Sequence, residues 1–342
     1  MGDRFFSKVQ FGTENPAAHG TPVAATRTLV GGQVGPITPY KRPRKINENI
    51  GVRSAGHRKV IDQYLVSDSL SIPEGYFQAL LPILGCGLKG AVTATETTAD
   101  QSDYAWDFTP SLASDGANAP DSLTIEKGDN TQAFEAEYCM FQRVRISGQV
   151  AQGADAAPVS IEAEYFGRQW TPTTFTGSIA IPVTTPLNAK LARVYVDTSW
   201  AGLGGTELAN ILRAFDLDII LGPYPNFAGS AAKTFNRHGE GIIGAQLSLT
   251  LEGLSAADAL WDAANSDTQA LSFVQLALGG PQIGTGASHS AKFNLAGTWD
   301  EVIPLAEEDR GNNLHTLVMT SLYDPTAAKE VGAVVVTDRN SY

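Results

Sequence analysis

Two stretches of this chain carry the same signature, and any fold has to accommodate both. A strand with alternating polar residues runs into a Ser-x-x-acid helix start at Ser71 with Glu74, and again at Ser255 with Asp258. Leucines stand one and six positions before each serine: Leu70 and Leu65 in the first copy, Leu254 and Leu249 in the second. Bulky apolar residues follow at the fifth and sixth positions, Tyr76 and Phe77 and then Leu260 and Trp261. Each joint reads as a capping box, in which the serine hydroxyl accepts from an orphan helix N–H while the acid reaches back. One capping box is common; a recurring strand-to-helix joint implies a repeated supersecondary unit.

Hydrophobic alternation predicts strands over 104–109, 122–126, 133–150, 159–170, 191–197, 212–222, 241–253, 271–278, 292–305, 314–322 and 331–337. Helices are expected over 73–84, closed by Gly85 and Gly87, and over 256–265. Phe215, Leu217, Ile219 and Leu221 oppose Asp216 and Asp218, and Leu247, Leu249 and Leu251 oppose Ser248, Thr250 and Glu252, the pattern of a sheet with one wet face. Each half is expected to finish with a hairpin of the same length, through AQGADAAP in the first and YDPTAAKE in the second. The Thr- and Pro-punctuated stretch 171–189 marks a boundary. This divides the chain into an extended N-terminal arm with the first strands (1–58), a first domain (59–175) and a second (176–342).

Charged residues are 18% of the chain, against roughly a quarter in an average soluble domain, so its surface suits a subunit covered by partners. The net charge of −12 is unevenly placed. Residues 41–59 hold Lys41, Arg42, Arg44, Lys45, Arg53, Arg58 and Lys59 against Glu48 alone, a local +6 that leaves −18 elsewhere. A basic run of this kind is a solvated loop or a nucleic-acid patch. Without interleaved aromatic residues, a basic arm that docks on an acidic neighbouring copy fits the two charge blocks better.

Catalytic and cofactor signatures find no support. Gly85-Cys-Gly87-Leu-Lys-Gly90 satisfies G-x-G-x-x-G on paper, but its glycines close a helix, whereas a dinucleotide site needs them to open one. His19, His57, His238, His289 and His315 lack metal-ligand spacing, three of them fall in expected loops, and His315 reads as a satisfied or exposed strand imidazole. Glu135 with Glu137, and Glu162 with Glu164, read as the wet faces of strands rather than acid–base pairs. Cys86 and Cys139 read as two reduced thiols. No enzyme, cofactor or metal is expected. The opening MGDRFFSKVQ has no apolar region of a secretory signal, and no run has the length of a transmembrane helix, so a protein made in a cytoplasm without a membrane anchor is expected.

The segment DSLTIEKGDNTQAFEAEYCMFQRVRISGQVAQGADAAPVSIEAEYFGRQW (121–170) resembles tail tube, or major tail, proteins of long-tailed bacteriophages. In that family an acidic TIE-x-GD stretch precedes a strand, a Ser-Gly break and a second strand ending in Gly plus a basic residue, here Gly167 and Arg168. The opening GTENPAAHGTPVAATRTL and the later LARVYVDTSWAGLGGTELANILRAFDLDI are similar to the family's start and second half.

The resemblance implies two tandem β-sandwich or barrel tube domains, each with one flanking helix. Copies would form stacked rings around a β-lined DNA channel in a virion tail, with terminator, tape measure and distal tail proteins as partners. Two joints per chain point to three chains per pseudo-sixfold ring, with six chains as the alternative. Asp62, Asp216, Asp218, Ser248, Thr250 and Glu252 are the lumen candidates, and DNA would pass their acidic surface without specific binding. Lys41, Arg42, Arg44 and Lys45 are the candidates for a ring-to-ring arm. A carbohydrate- or receptor-binding β-sandwich using Trp106, Trp170, Trp200, Trp261 or Trp299 is the second reading, although Trp261 fits helix core better.

Overall fold

All eleven predicted strands form, and all join one large antiparallel sheet. The computed structural model describes residues 4–342 apart from 49, 54–55, 114–115, 117, 151–155, 254, 268 and 310; for 4, 255–258 and 307 it describes the backbone course only. Strand accounts for 49% of the chain and helix for 7%, which makes the protein mainly β with two helices.

The first half opens with a 3₁₀ turn (Arg4–Phe6), then β1 (Lys8–Thr13), β2 (Arg27–Thr28), β3 (Lys41–Lys45), β4 (Lys59–Tyr64), β5 (Val66–Ile72) and α1 (Phe77–Gly85). It continues with β6 (Thr95–Glu96), β7 (Tyr104–Asp107), β8 (Leu123–Gly128), β9 (Ala133–Gln149), β10 (Val159–Gly167) and β11 (Thr171–Thr173). The second half opens with another 3₁₀ turn (Ala189–Leu191), then β12 (Ala192–Asp197), a short turn (Trp200–Gly202), β13 (Leu212–Ile220), β14 (Pro223–Asn226) and β15 (Arg237–Glu240). There follow β16 (Gly244–Glu252), α2 (Ser255–Ala264), β17 (Ser272–Gln282), β18 (Ser288–Asp309), β19 (Asn312–Ser321) and β20 (Val331–Thr337).

The repeat inferred from the sequence is a repeat of topology, and it begins earlier than the helix. In the first half the strands pair in the order β1, β8, β9, β10, β5. In the second the order is β12, β17, β18, β19, β16. A short segment flanks the first strand of each set: Leu29 N donates to Val9 O at 2.9 Å, and Leu208 N to Val194 O at 2.9 Å. A two-stranded ribbon, β3–β4 or β14–β15, precedes the strand that leads into each helix. No domain split is shown between the halves. Strand β13 pairs with β9 from Ala214 opposite Gln149 to Ile220 opposite Arg143, so the sheet runs straight across the boundary placed at residue 175.

Three expectations change. Ser71 is not a helix cap: it lies in β5 opposite Glu162, and its carbonyl accepts from Gln33 N at 2.8 Å. The ladder claims its backbone, and α1 begins six residues later behind Tyr76, with no side-chain cap. In the second copy α2 begins at Ser255, while Leu254 and the side chains of Ser255 and Asp258 lie outside the described residues. Second, β19 and β20 are not a hairpin. Both pair with β18, opposite β17, so the chain leaves that edge after Ser321 and rejoins it at Val331. β18 is long enough to host both strands in series. Third, His238 and His289, expected in loops, lie on β15 and β18, and His315 is buried with Nδ1 unpartnered. Residues 1–58 hold first strands beside an exposed element: β1 is sheet interior with Val9 and Phe11 buried, while every residue of β3 is exposed.

Helix α1 forms for tertiary reasons. It lacks a cap and contains Pro82, both unfavourable locally, yet every residue except Gln78 is buried. Phe77, Leu80, Leu81, Ile83 and Leu84 each contribute about 1.5–3 kcal/mol by leaving water. Part of its cover comes from the second half. The Phe77 ring lies 5.5 Å from His289, and Gln78 Nε2 donates to Asp338 Oδ1 at 2.8 Å. Gly85 closes the helix by making room, since a Cβ there would stand 2.3 Å from the Tyr342 hydroxyl. Helix α2 is different: Leu260 and Ala264 rest on the core while Trp261, expected as core, is 42% exposed. Replacing Phe77 with Ala is expected to lower unfolding free energy in urea by about 3–5 kcal/mol, and Trp261→Ala to change it by about 0.5 kcal/mol in dispersed protein.

Candidate functional site

Period-two alternation on seven neighbouring strands produces one continuous polar face. Directly paired residues share a face, so the register builds a row Ser71, Glu162, Arg145, Asp218, Gln246, Thr320, Thr298 across β5, β10, β9, β13, β16, β19 and β18. The next row runs Ser160, Ser147, Asp216, Ser248, Val318, Glu301. Thr250 lies one row further, opposite Ala214 and Thr316, and Glu252 lies at the end of β16 opposite Leu314. At the usual strand spacing the seven strands span about 30 Å. The other side of the same strands is core: Val144, Ile146, Leu217, Ile219, Leu247 and Leu249 are fully buried.

Five of the six sequence-picked residues, Asp216, Asp218, Ser248, Thr250 and Glu252, therefore meet on one surface. Asp62 does not. It lies on β4 in the separate β3–β4 ribbon, where Arg44 Nε donates to it at 2.7 Å, and this contact raises the Arg44 pKa. Lys41, Arg42, Arg44 and Lys45 are all exposed on β3 of that ribbon.

The arginines of the polar face were missed. Arg145 Nε donates to both Asp216 oxygens at 2.8 and 3.0 Å, and Arg143 Nε donates to Asp218 Oδ1 at 2.7 Å. Each guanidinium also reaches its carboxylate through a second nitrogen, and these hydrogen bonds raise both arginine pKa values. Arg213 donates to Glu252 at 3.1 Å. The signal was legible in QRVRI, where Arg143 and Arg145 alternate with Val144 and Ile146. The face is thus acidic with its arginines engaged in two-pronged contacts. Glu162, Glu164 and Glu301 remain beyond the three arginine–carboxylate pairs, Glu164 lying 3.7 Å from the already paired Arg143.

Other chemistry gathers less well. Trp106, Trp170 and Trp299 are buried and Trp200 is half-buried, so the five tryptophans do not form an exposed platform. Among the described residues no group of three or more His, Cys, Asp or Glu could hold a metal ion, and no helix is long and apolar enough to cross a membrane. The chain matches no family model and no curated protein.

A buried polar clasp ties the ribbon β14–β15 to the first half. Glu14 accepts from Gly20 N, Thr124 Oγ1 and Tyr138 N, and also from Ser122 Oγ, which lies 2.7 Å from His19 Nδ1. His19 stacks on Tyr138, whose hydroxyl is 3.1 Å from His238 Nδ1, and Arg168 lies over the same ring. Burial and then the neighbouring His19 lower the His238 pKa, with Glu240 acting weakly the other way. The folded state therefore binds a proton at His238 less readily than the unfolded chain, whose histidines titrate near about 6.5. Stability from this site is present above that pH and falls as pH drops through it. The thermal midpoint should decline from pH 7 to 5, with a shallower decline in His238→Gln. Cys86 and Cys139 are fully buried free thiols with pKa values raised chiefly by burial, so a thiol reagent should modify neither in native protein and both after denaturation.

Proposed function

We propose that this protein is a tail tube subunit of a long-tailed bacteriophage, a structural virion protein whose copies form stacked rings around a DNA channel. The observation that carries the reading is the edge relation between the two halves. In the first half β9 has one edge taken by β10 and the other by β8 and then β13. In the second half β18 has one edge taken by β19 and β20, but the other is paired only by β17, as far as Gly297. Beyond it, among the described residues, no strand pairs with 299–309 on that side; Gln269 Nε2 alone donates to Trp299 O at 3.3 Å.

An open edge of this length invites another strand. The segment at the matching position of the first half is 33–40, which flanks β5 as β13 flanks β16: Gln33 N donates to Ser71 O and Leu65 N to Tyr40 O, both at 2.8 Å. One copy's 33–40 would meet the next copy's β18 edge, a head-to-tail contact that closes into a ring. Each half offers four such strands. Three chains would supply about 24, above the roughly 16–18 at which closed barrels leave an aqueous channel. Two tube-type halves per chain are the reason three chains per pseudo-sixfold ring are preferred, with six as the alternative if only one half is a tube domain.

The polar face would line the channel. Its surplus carboxylates repel phosphate, and its arginines are already engaged, so DNA would slide without being held. The exposed β3–β4 ribbon, with Lys41, Arg42, Arg44 and Lys45, would reach an acidic neighbour in the adjoining ring. Terminator, tape measure and distal tail proteins would be the other partners, in a tail assembled in the host cytoplasm. Negative-stain class averages of the purified protein should show rings with six radial lobes built from three chains; monodisperse monomers at high concentration would refute the reading. Reversing all four ribbon charges to Glu should leave rings intact and shorten the tubes, measured as a length distribution.

A further inference from the structure

The halves repeat their topology but differ in how their helices are covered. Helix α1 is buried beneath the end of the β17–β18 hairpin and the tail that follows β20. A Cβ on Gly280 would stand 2.7 Å from the Phe77 ring, and Asp338 and Tyr342 lie against Gln78 and Gly85. In the first half the matching parts are the end of the β8–β9 hairpin and the segment that follows β11. Between them lies a groove of about 460 Å³, lined by Phe6, Lys8, Asp129, Ala133, Thr174 and Phe175. Phe6 is 60% exposed and Lys8 Nζ sits 4.4 Å from the centre of the Phe175 ring.

We propose that this groove receives α2 of a second copy, with Trp261 as the inserted side chain. The helix has the topological place of α1, and its described side chains, 259–264, lack α1's cover. Trp261 supplies the apolar surface that Phe6 and Phe175 would meet, and the exposed Asp262 beside it complements Lys8. Helix α2 also lies beside the open β18 edge, to which Gln269 in the following loop is bonded, so groove and edge form one continuous contact with the same neighbour. The proposal rests on the ring-forming reading above and names residues on both sides of its contact.

The two sides can be damaged separately, since Trp261 and Phe6 are both exposed and neither Trp261→Glu nor Phe6→Glu should lower the thermal midpoint. Each full-length variant alone is expected to stay monomeric in sedimentation velocity at concentrations where the wild type forms rings. An equimolar mixture should give a dimer and nothing larger, because one intact groove then meets one intact helix. A wild type that assembles while either variant assembles equally well, or while the mixture stays monomeric, overturns the α2 contact and leaves the ring reading standing. A wild type that never associates overturns both.

Discussion

Backbone hydrogen bonding along β9 holds the two halves together. Over 143–148 this strand pairs with β10 on one side and with β13 on the other. That doubly satisfied ladder turns two similar five-stranded sets into one sheet. It also sets close packing at the join: a Cβ on Gly148 would stand 2.7 Å from the Phe215 ring and 3.1 Å from Ala189 Cβ, so the two halves meet at a position where only hydrogen fits without movement. Among the described residues the counterpart strand β18 has no such second partner beyond Gly297. Among the described residues no strand covers that side of 299–309, where Ile303 and Leu305 are exposed, and this is the structural cost of ending a repeat without closing it.

The helices follow from their surroundings. FQALLPILG is apolar except at Gln78, as a helix enclosed by both halves requires, and it tolerates Pro82 and a missing cap because burial outweighs them. SAADALWDAA is mixed in character, and among the described residues it rests on β18 of its own half. Equivalent places in the repeat thus carry sequences that differ in the amount of apolar cover available, and Trp261 is the residue at which that cover is incomplete.

Electrostatics on the polar face is a matter of pairing more than of net charge. Asp216 and Asp218, counted alone, suggest a bare acidic wall; Arg145 and Arg143 convert both into charge-assisted contacts across the β9–β13 join. Exposed pairs of this kind add little stability. Their larger effect is to occupy guanidinium donors that would otherwise bind phosphate, which leaves the surplus from Glu162, Glu164 and Glu301 to set the sign of the field.

Local patterning by itself determined the strand inventory, the wet and dry faces of β13 and β16, the helix-ending glycines and the order of elements in each half, because side-chain alternation and turn chemistry are properties of neighbouring residues. It led astray at Ser71, where an apparent cap belongs to a ladder, and at 322–330, where an apparent hairpin loop is an excursion along one edge of β18. It could not show that Asp62 leaves the polar face for a ribbon, nor that Arg143 and Arg145 meet the two aspartates. Those outcomes depend on which strand lies beside which and in what register. Hydrogen bonds between residues about 70 positions apart set them, such as those joining Arg145 to Asp216, and only the tertiary structure brings such residues together.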